Sequence, residues 1–321
     1  MEGMEARDSA SNAPQPHRLQ TWLASRNLAL LVIFLGMVFL RWRSQPGLLR
    51  GEIEVDGLRR EYLVYVPPSY DPTAPAPLII SIHGLASWPE NQMFISQWNV
   101  LADERGLIVA YPAGTGSIRR WNAGRTTNPG ESQKEVHFIS ALIDRLAQEY
   151  QLDPARIYVN GLSNGGGMAY LLACSLADRI AAIGSVAGAY LYSPADCQPA
   201  RPVPLIAFHG TADPIVPYAG GPTFPFQFEF PSVAEWMSAW AERNGCTSLP
   251  TELPAVGEVS GVRYTGCTEN AEVIFYTVHG GGHTWPGGGY LPKIITGSQN
   301  NDIDATALMW EFFTRHPLAD P

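Results

Sequence analysis

The stretch Gly161-Leu162-Ser163-Asn164-Gly165 constrains this chain more than any other because of what flanks it. Before it runs Arg156-Ile157-Tyr158-Val159-Asn160, which reads as a strand; after it, Gly166-Gly167-Met168-Ala169-Tyr170-Leu171-Leu172-Ala173 reads as a helix. The chain must therefore turn sharply from strand to helix at one serine. Glycines on both sides permit strained backbone angles and close approach of neighbouring segments. A serine so placed stands exposed above the sheet edge, and the helix behind it offers free N–H groups and its positive end to a developing oxyanion. The arrangement suits acyl transfer.

Acid and base candidates follow in the chain order that a serine, acid, histidine site on such an elbow requires. Pro204-Leu205-Ile206-Ala207-Phe208-His209 predicts a buried strand, ending in the turn Gly210-Thr211-Ala212-Asp213-Pro214. Functional groups gather at the carboxyl ends of strands in open α/β sheets, so Asp213 is the acid candidate. Glu272-Val273-Ile274-Phe275-Tyr276-Thr277-Val278 predicts another strand, running into His279-Gly280-Gly281-Gly282-His283-Thr284-Trp285-Pro286-Gly287. His283, beyond three glycines, can reach across to Ser163 and is preferred as base over His279, which lies nearer the strand. His209, His137, His316 and His17 have local or terminal explanations. No His-Glu-x-x-His or paired Cys-x-x-Cys spacing points to a metal, so neither metal nor cofactor is expected.

The oxyanion should be met by the backbone N–H of Asn164, directly after the serine, and by one from an earlier strand's loop. Pro77-Leu78-Ile79-Ile80-Ser81-Ile82-His83-Gly84-Leu85 supplies that loop. Gly84 lets the chain turn so that Leu85 N–H faces the charge, with His83 shaping the turn from beneath.

These residues together resemble the polyhydroxybutyrate depolymerase-type esterases, similar to feruloyl and acetylxylan esterases of carbohydrate esterase family 1. The resemblance runs from about Glu61 to His316. Its carriers include Ile82-His83-Gly84, Tyr111-Pro112, Trp121-Asn122, Asp153-Pro154-x-Arg156-Ile157-Tyr158-Val159 and the Ser163 elbow. Further along they are Phe208-His209-Gly210-Thr211-Ala212-Asp213, Trp240-Ala241-x-x-Asn244-Gly245-Cys246, Gly281-Gly282-His283-Thr284-Trp285-Pro286-Gly287 and Trp310-Glu311-Phe312-Phe313. It implies an α/β-hydrolase fold with Ser163, Asp213 and His283 as triad, and Trp285 as a wall of the acyl pocket. One signature differs: where the family has Asp-Asp-Val-x-Phe, this chain reads Lys134-Glu135-Val136-His137-Phe138.

Alternating strand and helix patterns predict a mostly parallel, doubly wound sheet. Strands are expected at 61–66, 78–83, 107–111, 156–160, 181–186, 205–209 and 273–278. Helices are expected at 91–104, 133–150, 164–176, 232–243 and 302–314. The glycine- and proline-rich stretch 218–231 reads as neither. With 321 residues, 45% of them hydrophobic, and nine tryptophans, the chain can bury a large core, taken as one catalytic domain over 61–316. The net charge of −9, with no basic patch, argues against nucleic acid and for ester partners, whether small soluble esters, oligoesters or plant-polysaccharide esters.

The N-terminus reads differently. Residues 1–21 are polar and expected to be disordered, 22–43 form a hydrophobic helix, and 44–60 a linker and first strand region. Leu28–Leu40 is apolar apart from Gly36, and the run from Trp22 to Trp42 spans about 31 Å as helix, enough for a membrane anchor. Arg41-Trp42-Arg43 follows instead of a small-residue cleavage site, so an anchor is preferred to a cleaved signal or a buried core helix. Either leading option places the domain outside the cytoplasm. The four cysteines suit disulfides there, with three pairings open; the resemblance favours Cys174 with Cys197 and Cys246 with Cys267. The expected function is an extracytoplasmic serine esterase. An acyltransferase of the same fold and a catalytically silent binding protein are the alternatives.

Overall fold

A ten-stranded sheet carries the molecule. The computed structural model describes residues 45–124, 129–191, 197–223 and 229–319, so the expected segment at 22–43 lies outside the described residues. Among the described residues, no helix is long and apolar enough to cross a membrane.

The strands are β1 (Leu48–Val55), β2 (Leu58–Tyr65), β3 (Ala76–Ile82), β4 (Ile108–Pro112), β5 (Leu152–Leu162), β6 (Ala182–Val186) and β7 (Leu205–Gly210). A two-residue pair, β8 (Gly221–Pro222) and β9 (Glu229–Phe230), precedes β10 (Thr251–Val256), β11 (Val259–Tyr264) and β12 (Val273–Val278). Their order in the large sheet is β1-β2-β4-β3-β5-β6-β7-β12-β11-β10. The central strands from β4 to β12 pair in parallel, and an antiparallel hairpin extends each end.

Parallel strands buried on both faces must be apolar throughout, and β3, β4, β6 and β7 are buried at every position. Side-chain alternation divides them between two helical layers. Leu78, Ile80 and Ile82 of β3 join one cluster with Val136, Ile139, Leu142 and Leu146 of α3 (Pro129–Glu149), with α4 (Asn164–Ser175) and with α5 (Val233–Arg243). Opposite, Tyr158 of β5 stacks at 4.7 Å on Phe313 of α7 (Ala305–Thr314), which lies parallel to Trp98 at 6.2 Å. The short helix α6 (Lys293–Thr296) follows the His283 loop.

Three departures from the expected elements have local causes. The single helix expected at 91–104 is two, α1 (Pro89–Ser96) and α2 (Trp98–Arg105), because Gln97 is left-handed at φ 55°. That break lets Trp98 bury completely, its Nε1 donating to Asn160 Oδ1 at 3.2 Å. The region 44–60 contains all of β1, joined to β2 through Asp56-Gly57 with positive φ at both residues, a hairpin dipeptide. The β10–β11 hairpin was not expected, since β10 is exposed at nearly every position and has no apolar alternation to reveal it.

Candidate active site

Ser163 joins β5 to α4 with φ 59° and ψ −120°, a conformation costing an L-residue on the order of 1–3 kcal/mol. Main-chain bonds hold it there: its N–H donates to Val186 O at 2.9 Å, and its carbonyl accepts from Gly167 at 3.0 Å and Ala189 at 2.9 Å. The flanking glycines are required by contact. A Cβ on Gly165 would lie 2.1 Å from Ile82 O, and one on Gly161 would lie 2.4 Å from the Gly165 backbone. Any side chain there would push α4 off β3 and β5.

Asp213 follows β7 and His283 follows β12, neighbouring parallel strands, so both residues arrive at one sheet edge. His283 Nδ1 lies 2.8 Å from Asp213 Oδ2. The other carboxylate oxygen accepts N–H groups of Ile215 and Val216, each at 2.8 Å. Beneath it, His209 Nε2 sits 2.9 Å from Val216 O and 3.4 Å from Asp213 Oδ2. Burial would raise the Asp213 carboxyl, but the adjoining His283 charge and the hydrogen bonds from His209 and His283 outweigh it and hold it well below the usual range. An acid fixed as carboxylate keeps His283 in the Nδ1–H tautomer, with Nε2 available as base. Asp213 and His283 are thus brought together, whereas no hydrogen bond joins His283 to Ser163 among the described residues. Such links commonly close only with substrate bound.

Gly84 packs on the serine: a Cβ added there would lie 3.3 Å from Ser163 Cβ. Leu85 follows, then Ala86 at φ 55°, its N–H bonded to Arg119 O at 2.8 Å. Among the described residues neither Leu85 N–H nor Asn164 N–H has a protein acceptor. His83 lies beneath the turn. Gly114 N–H donates to His83 Nε2 at 3.0 Å, so the proton sits on Nδ1, 2.7 Å from Gly84 O. Burial pushes this imidazole down to about 4, against the opposing bond to Gly84 O, and it is neutral at physiological pH.

Trp121 ties the His83–Gly84 and Asn164 segments together. Its Nε1 donates to His83 O at 3.0 Å, while its backbone N–H donates to Asn164 Oδ1 at 2.7 Å and its carbonyl accepts from Asn164 Nδ2 at 3.1 Å. The next residue is fixed too: Asn122 N and Nδ2 donate to Glu135 Oε1 at 3.3 and 3.0 Å. Glu135 Oε2 pairs with Arg60 at 2.7 Å, both side chains buried, and Arg60 lies 4.0 Å over the Phe138 ring. Glu135 stands at the second of the two signature positions where the resembling family has aspartate, Lys134 at the first.

Trp285 is fully buried, its Nε1 donating to Thr306 Oγ1 at 3.0 Å. The resemblance implies a pocket-wall role for Trp285; the structure shows its ring in the interior, tied to α7. His279, the rival base, bonds Ser260 Oγ at 2.8 Å at an exposed site. The disulfides Cys174–Cys197 and Cys246–Cys267 are formed, the pairing the resemblance favours. Among the described residues no group of His, Cys, Asp and Glu could hold a metal. Sequence reasoning missed His209 as a partner of Asp213, and the Trp121 and Arg60–Glu135 contacts. Trp121-Asn122 appeared only as a resemblance motif, and nothing in the sequence pairs Arg60 with a glutamate 75 positions away.

A family model described as "Esterase PHB depolymerase" matches residues 60–216. "Putative esterase NocK" of Nocardia uniformis subsp. tsuyamanensis is 33% identical over 265 residues, covering 76% of each chain. Feruloyl esterase C of Emericella nidulans is 29% identical over 280 residues, 84% of this chain and 88% of that one. Two further relatives are longer, and the chain spans 27% and 42% of their lengths. Among solved structures, an acetyl xylan esterase from Aspergillus awamori superposes with TM-score 0.56 at 18% identity, covering 74% of this chain and 94% of that one. At that identity the likeness speaks for the α/β-hydrolase fold alone.

Proposed function

Because the chain belongs to the polyhydroxybutyrate depolymerase family of esterases, and is thus a carboxylic ester hydrolase, we propose that it acts through an acyl-enzyme on Ser163, with His283 as base and Asp213 as orienting acid. The carrying observation is the 2.8 Å Asp213–His283 bond at the same sheet edge as a serine held at φ 59°. Ser163 Oγ attacks the ester carbonyl while His283 Nε2 takes its proton; the oxyanion sits between Leu85 and Asn164 N–H groups. The ester C–O bond then breaks and the alcohol leaves with the proton from His283. Water, deprotonated by the same nitrogen, attacks the acyl-enzyme, releasing the acid and restoring Ser163. Asp213 stays ionised throughout. Closure of the Ser163–His283 bond on substrate binding is part of this proposal. The two disulfides support an extracytoplasmic site of action.

The substrate classes named for the relatives set the assay: p-nitrophenyl acetate, methyl ferulate, acetylated xylan and 3-hydroxybutyrate oligomers. Ser163→Ala should lower turnover on the best of these by at least about 10⁴-fold. A slow ester should add its acyl mass to Ser163 in the native chain. A folded Ser163→Ala variant that keeps its activity would overturn the mechanism.

A further inference from the structure

Beside the oxyanion loop lies a cleft of about 450 Å³ that the reaction does not use. Ala113 and Gly114, after β4, line it. One wall is Arg59–Glu61 of β2, and the other is the hairpin closed by the Thr115–Arg120 bridge. Trp88, the residue before α1, stands at its rim and is 41% exposed. The cleft and the site share structure: Gly114 N–H holds His83, and Arg119 O holds Ala86. Both lie at the carboxyl edge of the parallel strands, two strands apart, a lateral offset of about 10 Å. That is further than an acetyl group reaches, and suits a part of the substrate away from the scissile bond.

The lining identifies that part. Three arginines face the cleft, which at first suggests an anion. Each is matched, however: Arg59 by Glu52, Arg60 by Glu135 and Arg119 by Glu61. With the cations neutralised in pairs and the chain at −9 overall, an anionic ligand gains little there. What remains is the partly exposed Trp88 indole, the Arg119–Glu61 pair at 3.2 Å with donors and acceptors side by side, and the hydroxyl-bearing Thr115 and Ser117. An aromatic platform ringed by paired donors and acceptors fits a ring with an apolar face and a hydroxylated rim, and a polyester arm would leave these polar groups unmatched. We infer that this cleft is a subsite for a neutral saccharide on the alcohol side of the ester, with Trp88 as its platform. This rests on the acyl-enzyme reading for which side of the ester lies there.

The test uses the full chain and two substrates with one acyl group, acetylated xylo-oligosaccharide and p-nitrophenyl acetate. Trp88→Ala should raise KM roughly tenfold or more on the oligosaccharide ester, leaving kcat and all p-nitrophenyl acetate kinetics unchanged. Ser117→Tyr, which fills the cleft from the hairpin side, should give the same split. In parallel, unesterified xylohexaose is titrated calorimetrically, which needs no catalysis: wild type should bind it and Trp88→Ala should not. Equal effects on both substrates, or none on either, overturn the subsite. Binding only of a glucuronate-substituted oligosaccharide overturns its neutral character. Xylohexaose binding that depends on Trp88, in a chain with no ester turnover, supports the cleft and sinks the acyl-enzyme reading instead.

Discussion

Asp213 and His283, at the ends of β7 and β12, face Ser163, Gly84 and Asn164, at the ends of β5 and β3, and the two groups are fixed in different ways. On the first side a buried charge is matched by donors: His283, His209 and two backbone N–H groups converge on one carboxylate. On the second no charge is in direct contact. A neutral histidine, glycine-tight packing and three hydrogen bonds at Trp121, two donated and one accepted, hold the segments whose N–H groups would meet the oxyanion. The charged side concentrates its function in one group, so losing that group loses nearly everything. The neutral side spreads its function over several bonds, each individually small. The charged side also needs a proton absent from Asp213, and the neutral side needs a proton absent from His83 Nε2, so acid strikes them in different ranges.

Breaking the charged side has the largest expected effect. Asp213→Asn keeps the side chain's shape and an oxygen for the Ile215 and Val216 N–H groups, but offers an amide where His283 Nδ1–H needs an acceptor. The imidazole then loses its preferred tautomer and the partner for its charged form. Turnover should fall about 10⁴-fold, with little change in KM and a retained circular dichroism spectrum. A loss of tenfold or less would mean that the carboxylate is not what orients His283.

Acid sharpens the contrast next. His83 has a folded-state value of about 4 against 6.5 for a free ring, so the unfolded chain takes up the proton first as pH falls. The neutral ring's contribution is therefore complete above about 6.5 and is lost between 6.5 and 4, on the order of 3 kcal/mol. His316, likewise lowered to about 4 by burial although it bonds Glu272, adds to the same window. Asp213, lowered from 3.8, gives stability that is present above that value and lost only below it. Denaturant titrations from pH 7 to 4 should show falling stability, and His316→Gln should leave the part of the slope due to His83. A flat profile in His316→Gln would remove His83 from the account.

The same division governs what could be read in advance. Ser163, Asp213 and His283 each end a strand of apolar residues and sit in a glycine-marked turn, signals that are local in sequence. Central strands were legible for the same reason, being continuous apolar runs. Long-range polar matching was not. Arg60 falls in the region 44–60 read as linker and first strand, and only folding shows it buried against Glu135 and Phe138. The bond from the Trp285 indole to Thr306 is another such match, 21 positions apart and unmarked in the sequence. Exposed β10 and the left-handed Gln97 were invisible because hydrophobic periodicity records burial and says nothing of edge pairing or of a single residue's φ.

The smallest expected effect lies on the neutral side. Trp121→Phe removes the Nε1 bond to His83 O but keeps an aromatic ring near Phe138 and both main-chain bonds to Asn164. His83 O would then be a buried acceptor lacking its partner, costing about 1–3 kcal/mol of stability. The Gly84–Leu85 turn, still held by Gly114 and Arg119 bonds, would keep its place with more freedom. Turnover should fall about tenfold with KM unchanged, because in the proposed mechanism the oxyanion, not the ground-state ester, depends on where Leu85 N–H points. A fall in KM alone, or a loss as large as that of Asp213→Asn, would contradict the distributed holding that separates this side from the other. If the tenfold loss is observed and Asn164→Ala adds to it less than its own single effect, the bonds on either side of Trp121 act as one unit.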